Sequence, residues 1–231
     1  MMSGEDEKVN SASSASPSQT PAPTTASPAV PSLDSPSSSA AGVPGTSVHN
    51  VVLTGFMGTG KTTVGQLLAE RLGFEFIDTD TVIEVRYGPI PEIFRTGGEA
   101  SFRRYEHDVA VDLGARTSLV ISTGGRLMLD PANVAALGPT GLVFCLTATI
   151  ETILDRVLTD DAAQSRPLLA GNNARERVEA LLAERAEGYA QFIQVRTDSR
   201  DPESIVDEIV ALLPSRPVDR SATNTNEPTD F

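Results

Sequence analysis

The sequence has a single cysteine, no long apolar run and only two lysines. Cys145 cannot form an intrachain disulfide, and its apolar neighbours Phe144 and Leu146 are typical of a buried residue rather than a reactive thiol. We therefore expect a reducing, cytoplasmic compartment. No stretch of 18 apolar residues is present and the N-terminus lacks the basic and apolar regions of a secretory signal, so we expect neither a membrane span nor secretion.

Positive charge is also scarce. The chain of 231 residues has a formal net charge of −13, and residues 47–213 carry 15 Lys and Arg against 24 Asp and Glu. This balance argues against a nucleic acid or an anionic membrane as partner. An anionic ligand would need a local cluster of cations, which in this range means arginines and the single lysine, Lys61.

Both ends of the sequence have few large apolar side chains. Residues 1–46 consist mainly of Ser, Pro, Ala and Thr, and residues 214–231 are similarly polar. Such segments cannot bury enough surface to offset the entropy of ordering, so we predict disordered tails on either side of one folded domain, residues 47–213. A role of the first tail in binding a partner is the less favoured alternative. A polar stretch within the domain, about 159–173, is typical of a lid or binding loop.

Short apolar runs alternate with helical patterns along the domain. Strands are predicted at 48–53, 74–77, 119–121, 142–146 and 193–196. Helices are predicted at 62–72, which Gly73 ends, and at 82–87, 90–94, 99–115, 149–158 and 174–190. Asp130-Pro131 and Asp201-Pro202 are predicted to begin two more helices. This alternation predicts an α/β fold, a three-layer sandwich with a five-stranded parallel sheet, whose ligands bind at the carboxyl ends of the strands.

The segment from Gly55 to Thr62, GFMGTGKT, fits the phosphate-binding P-loop pattern in full. It lies between a predicted strand and a predicted helix, as the pattern requires. Backbone N–H groups and the helix N-terminus can then bind a triphosphate, with Lys61 at the β- and γ-phosphates and Thr62 on Mg²⁺. The predicted nucleotide-binding residues are Gly55, Gly58, Thr59, Gly60, Lys61, Thr62 and Thr63.

Two carboxylates, Asp78 and Asp80, follow the second strand. Beside a phosphate site, one can lie near the metal ion and the other can accept a hydrogen bond from a substrate hydroxyl. Either could instead cap the next helix. Arg103, on the long helix, would by itself be interpreted as a surface residue paired with Glu99 or Glu106.

The order of these motifs from Gly55 to about Thr197 resembles the shikimate kinase family. Besides the P-loop, the resemblance depends on motifs listed here in chain order: Asp78-Thr79-Asp80, Phe102-Arg103 with Glu106, Thr123-Gly124-Gly125, Arg166-Pro167-Leu168-Leu169, and Glu184-Arg185 before Tyr189. The resemblance implies a cytosolic P-loop kinase of the nucleoside-monophosphate-kinase fold. It also implies transfer of the γ-phosphoryl group of ATP, with Mg²⁺, to the 3-hydroxyl of shikimate, on the route to chorismate and the aromatic amino acids.

The resemblance also implies roles for individual residues. Asp80 would bind the ring hydroxyls and position the one that attacks, and Asp78 would lie near Mg²⁺. Lys61, Asp80 and Arg166 form the expected catalytic set, with Arg166 in the lid closing over the phosphates. Arg156 matches the adenine-stacking arginine of the family. The substrate carboxylate is expected to contact Arg103, Arg185, Gly124 and Gly125, with Arg126 beside them.

The sequence departs from the family pattern on the acceptor side only. Arg126 stands where the family has a third glycine, and Glu187-Gly188 replaces a Pro-Leu pair. A positive φ at Arg126 would cost about 1–2 kcal/mol, and its side chain could contact a carboxylate, reshape the pocket or point to solvent. The alternatives are therefore a kinase of this fold for another small hydroxy acid, or a regulatory module that binds nucleotide without catalysis. We expect a monomer with a small-molecule substrate.

Overall fold

The computed structural model describes residues 49–159 and 173–214, and its core is one parallel five-stranded sheet. The strands are β1 Asn50–Gly55, β2 Glu75–Asp78, β3 Leu119–Ser122, β4 Gly141–Thr147 and β5 Ile193–Arg196. Their order across the sheet is β2-β3-β1-β4-β5, and each pair of neighbours is parallel. The predicted sheet is therefore confirmed.

Seven α-helices accompany the strands within the described residues. They are α1 Lys61–Leu72, α2 Thr79–Tyr87, α3 Ile90–Gly114, α4 Pro131–Leu137, α5 Ile150–Thr159, α6 Ala174–Ala190 and α7 Pro202–Leu212. The helix ends follow from local chemistry. Gly73 ends α1 in the left-handed conformation, while the Asp130 and Asp201 side chains cap α4 and α7, whose first residues are prolines.

Helices cover both faces of the sheet, which makes the fold a three-layer sandwich. Alternate residues of a strand point to opposite faces, so Val51 and Leu53 pack with α1 and α7, whereas Val52 packs with α3 and α4. These three side chains are completely buried. A smaller apolar cluster joins Phe56, just after β1, to α5 and α6.

Several boundaries differ from the sequence prediction, and three of these differences involve glycine or capping residues. The first strand ends at Gly55 rather than at Leu53, because Gly55 adopts φ +130°, stays paired with Leu146 and leaves no room for a side chain. The second helix begins at Thr79, where the Asp78 carboxylate caps it. The predicted helices at 90–94 and 99–115 are one helix, α3, interrupted only at Gly98, whose φ is +67°.

Several predictions fall outside the described residues. These concern the tails, apart from Pro214, and residues 160–172, which hold most of the predicted lid and include Arg166. In residues 49–159 and 173–214, no helix has both the length and the apolar character that a bilayer crossing requires.

Candidate active site

The carboxyl ends of β1, β2 and β3 border a cleft of about 630 Å³. Since parallel strands end on the same edge of a sheet, residues far apart in sequence meet there. Thirteen of the predicted site residues line this cleft: Gly58, Gly60, Lys61, Thr62, Thr63, Asp78, Asp80, Arg103, Gly124, Gly125, Arg126, Arg156 and Arg185. The sequence prediction therefore locates most of one site, although it does not show how the side chains are paired.

Glycine is required in the loop between β1 and α1. A Cβ atom on Gly55 would lie 2.3 Å from the carbonyl oxygen of Leu146, and one on Gly58 would lie 2.8 Å from Val157 Cγ2. Both residues, and Gly60 at the start of α1, have positive φ angles. The loop can therefore curve around an anion with its amides turned inward, an arrangement that side chains would block.

Lys61 lies across this loop. Its Nζ donates to the carbonyl oxygens of Gly55 at 2.9 Å and Phe56 at 3.0 Å, so the ammonium is held at the cleft. The Thr59 side chain is buried and donates to the Phe56 carbonyl at 2.8 Å, so contact of the Thr59 backbone with a nucleotide stays a prediction. Neither Thr59 nor Gly55, the buried last residue of β1, lines the cleft. Both residues therefore contribute to the conformation of the loop rather than to the wall of the cleft.

The two aspartates have different environments. The Asp78 carboxylate accepts from the backbone N–H of Asp80 at 3.0 Å, so Asp78 is the helix cap that the sequence left as an alternative, while also lining the cleft. Asp80 Oδ1 is buried without a hydrogen-bond partner among the described residues. Burial and the neighbouring charge of Asp78 raise the pKa of Asp80 to about 6. Asp80 is therefore a carboxyl group poised to exchange a proton near neutral pH.

The loop after β3 passes very close to Asp80. The Gly124 N–H donates to Thr79 Oγ1 at 3.0 Å, which fixes the loop against the start of α2. A Cβ on Gly124 would lie 2.8 Å from Asp80 Oδ1 and 3.1 Å from Glu106 Oε1. Gly124 has no positive φ, so glycine is needed there for close approach rather than for backbone conformation.

Arg103 is both paired and part of the cleft. Its Nη1 donates to Glu106 Oε2 at 2.5 Å, and its Nη2 donates to Glu99 Oε1 at 2.9 Å. Glu106 is 1% exposed, and this burial raises its pKa, against the lowering influence of the Arg103 charge. The sequence predicted no role in the site for Glu106, but its spacing of three residues from Arg103 on a helix was the signal for this pair.

Arg185 is a buried cation with an unused donor. It is 7% exposed, its guanidinium lies 5.3 Å from the centre of the Phe56 ring, and its Nε has no hydrogen-bond partner in the described part of the chain. Tyr189, one turn further along α6, donates to the Gly125 carbonyl at 2.5 Å. Because Arg185 also lines the cleft, its guanidinium can bind an anionic group of a ligand there. Tyr189 was not among the predicted site residues.

Arg126 is not strained and does not simply point to solvent. Its φ is −114°, so the predicted cost of a positive φ does not apply. The side chain lines the cleft, is 42% exposed, and places Nη1 3.4 Å from Glu184 Oε1.

Arg156 is bound to the phosphate-binding loop. Its Nη1 donates to the Gly58 carbonyl at 3.2 Å and to Thr197 Oγ1 at 3.1 Å, and its Nη2 donates to the Thr197 carbonyl at 2.9 Å. These bonds connect α5 to the loop and to the end of β5. Contact of Arg156 with an adenine stays a prediction.

The donor set in the cleft suits a magnesium ion bound together with a phosphate. Thr62 and Asp78 both line the cleft, and no group of three or more His, Cys, Asp or Glu side chains in the described ranges could form a complete metal cage. Mg²⁺ is usually held by one or two carboxylates plus substrate phosphates and water, so these residues fit it.

The cleft concentrates positive charge in an acidic chain. Lys61 and four arginines line it, together with residues of the phosphate-binding loop and Asp80. A parallel sheet with that loop between β1 and α1 defines a P-loop nucleotide-binding fold. The chain belongs to the shikimate kinase family, because the model of that family, described as "Shikimate kinase", matches residues 57–214.

Known relatives agree with this assignment. The shikimate kinase of Geobacter sulfurreducens is 44% identical over 167 residues, 71% of this chain and 91% of the relative. A shikimate kinase of Thermus thermophilus is 45% identical over 165 residues, 71% of this chain and 89% of the relative. A solved structure, shikimate kinase from Acinetobacter baumannii in complex with shikimate, has a TM-score of 0.66 and 35% identity and covers 72% of this chain and 93% of its own. The predicted family and fold are confirmed.

Proposed function

We propose that this protein transfers the γ-phosphoryl group of ATP to the 3-hydroxyl of shikimate, giving shikimate 3-phosphate and ADP. The observation that carries the proposal is one cleft that contains the phosphate-binding loop with Lys61 and two groups without a partner in the described ranges, Asp80 Oδ1 and Arg185 Nε. A hydroxylated carboxylic acid satisfies these two groups together, because its hydroxyl can reach Asp80 while its carboxylate accepts from Arg185.

The donor end of the cleft binds the triphosphate. Loop amides and the N-terminus of α1 would bind the phosphate oxygens, and Lys61 would release the Gly55 and Phe56 carbonyls to contact the β- and γ-phosphates. Thr62 and Asp78 would hold Mg²⁺, which supplies charge neutralisation between the phosphates when bound. These interactions stabilise charge during an in-line transfer, which needs positioning more than covalent chemistry.

The acceptor end positions the attacking hydroxyl. Asp80 would accept the hydrogen bond of that hydroxyl and take its proton as the oxygen–phosphorus bond forms. Arg185 and Arg103 would bind the carboxylate with the amide of Gly125 beside them, whereas the Gly124 N–H already donates to Thr79. Glu106 fixes Arg103 from the buried side, so the acceptor meets a guanidinium that is already oriented.

The proposal is tested by measuring ADP release with ATP and Mg²⁺, with and without shikimate, across a panel of carboxylated polyols. We expect turnover with shikimate, formation of a monophosphorylated product by mass spectrometry, and loss of turnover when EDTA removes Mg²⁺. Turnover with other carboxylated polyols but not with shikimate would contradict the proposal. ATP binding without turnover on any acceptor would instead support a regulatory module, which the family assignment does not favour.

Arg185 provides a test of the acceptor end. Arg185→Ala should raise the KM for shikimate about a hundredfold, because a buried charge-assisted hydrogen bond is lost, and should change the KM for ATP far less. Steady-state kinetics with each substrate varied in turn measure this difference. Arg185→Met keeps most of the side-chain volume against Phe56 and should show the same selectivity. Equal loss of affinity for both substrates would contradict the carboxylate role.

The proposed domain organisation gives a further prediction. Deleting residues 1–46 should leave kcat, KM and Tm nearly unchanged, because that segment contains little apolar surface to bury. Activity assays and thermal unfolding of the shortened chain measure this. A large loss of folded enzyme would show that the tail contributes to the fold.

We also propose a cytoplasmic monomer, which light scattering after gel filtration and cell fractionation would test.

A further inference from the structure

Two consecutive residues after β3 face two consecutive residues of α6. On the inner side, a Cβ on Gly125 would lie 3.3 Å from Arg185 Nη1, so the backbone and the buried guanidinium are in close proximity. On the outer side, Arg126 Nη1 lies 3.4 Å from Glu184 Oε1. The loop after β3 and helix α6 therefore meet through a buried contact, Gly125 with Arg185, and a half-exposed ion pair, Arg126 with Glu184.

The outer ion pair is the weaker of these two contacts. Its 3.4 Å separation exceeds the roughly 2.7–2.9 Å of a charge-assisted hydrogen bond, and the two side chains are 42% and 52% exposed. Exposed pairs of this kind contribute little to stability. Arg103, in contrast, is held by two glutamates at hydrogen-bond distance. Arg126 is thus easier than Arg103 to draw to a new partner.

A carboxylate in the acceptor pocket would lie within the field of Arg126. Arg126 lines the same cleft as Arg185, and its charge also acts on Glu99 and Glu106 across the cleft. A carboxylate has two oxygens, so one can accept from Arg185 while the other accepts from a second guanidinium. Glu184, which now pairs with Arg126, offers the same chemical group that the acceptor would bring.

We propose that Arg126 determines specificity for the acceptor and that Glu184 is its internal counter-ion, which the carboxylate of the acceptor displaces. The exchange breaks one ion pair and forms another, with no covalent step. It favours hydroxylated carboxylic acids over neutral polyols, which gain nothing from Arg126. This inference rests on the proposed function, since it assumes that the acceptor binds beside Arg185.

The two partners should have opposite effects on acceptor affinity. Arg126→Gln should raise the KM and the Kd for shikimate about tenfold, with kcat and the KM for ATP nearly unchanged. Glu184→Gln should lower both constants about two- to threefold, because it removes the competing anion. In the double variant, the Glu184 substitution should add nothing to the effect of Arg126→Gln. A purely structural bridge predicts that both single variants weaken binding alike.

Glu179→Gln is the matched control, since it removes a negative charge from an exposed ion pair of the same helix outside the cleft. It should change neither constant, and Arg126→Lys should give an intermediate KM because it keeps the charge without the planar fork. An unchanged KM for shikimate in Arg126→Gln, or a raised one in Glu184→Gln, would overturn the inference. The proposed function would still stand in that case, provided that the wild type turns over shikimate. Calorimetric binding with the expected pattern but no wild-type turnover would overturn the proposed function instead.

Discussion

Replacing Lys61 by alanine should lower kcat by a factor on the order of 10²–10³, with the protein still folded. The ammonium lies on the two carbonyls that open the phosphate-binding loop, 2.9 Å and 3.0 Å away, so it is oriented before nucleotide arrives. It is also the only lysine in residues 47–213, so no neighbouring lysine can replace it. Single-turnover measurements at saturating ATP and shikimate separate this loss from weaker binding.

Arg71→Ala is the control for this experiment. Arg71 is a cation of the same helix, α1, but pairs with Asp207 at the surface away from the cleft. Its removal should leave kcat unchanged, because an exposed ion pair contributes little and contacts no substrate. If Lys61→Ala retained nearly normal kcat, the assignment of the phosphate site would be wrong.

Asp80→Asn should abolish most activity and stabilise the fold. Loss of a positioned base typically lowers kcat by a factor on the order of 10²–10⁴. In the wild type, kcat/KM for shikimate should fall below about pH 6, as the raised pKa of Asp80 lets the carboxylate take up a proton. Rate measurements from pH 5 to 8 test this, and Asp112→Asn, at an exposed ion pair of α3, should leave the profile unchanged.

The stability effect of Asp80→Asn has a definite sign. The pKa of Asp80 is about 6 in the folded protein, above its ordinary value of 3.8, so the folded state binds the proton more tightly. The wild type should therefore lose stability as pH rises from about 4 to about 6, whereas the asparagine variant should not. Above pH 6 the variant should be more stable by about 2 kcal/mol, equivalent to a Tm about 5 °C higher. Thermal unfolding without nucleotide or metal measures this. An equal or lower Tm of the variant would contradict the destabilising burial of the negatively charged Asp80 carboxylate.

Most of the fold followed from local sequence patterns. Apolar runs such as Val51–Leu53 and Leu119–Ile121 predicted buried strands, because a parallel strand covered on both faces needs apolar residues on each. Capping signals at Gly73, Asp130 and Asp201 predicted helix ends, since each acts within one turn of the backbone. The continuity of α3 across Gly98 was not predictable, because Gly97 and Gly98 favour a complete break.

The partners of the site residues followed less directly. The sequence placed Arg103, Arg126 and Arg185 on the acceptor side through the family resemblance and offered Glu106 as a partner of Arg103. It did not show that Glu106 is buried or that Tyr189 binds the Gly125 carbonyl. The sequence also did not show that the Thr59 side chain is used inside the loop. Such contacts depend on side-chain direction and burial, which periodicity does not specify.

The sequence by itself determined the class of the protein, because the phosphate-binding loop and the alternation of strands and helices are encoded within short windows. Only the tertiary structure decided how the charges are arranged. The raised pKa of Asp80, the unused Arg185 donor and the weak Arg126–Glu184 pair arise where separate segments meet at the edge of the sheet. Desolvation and Coulomb interactions depend on distances in space, and the parallel topology, which gathers the carboxyl ends of distant strands, sets those distances.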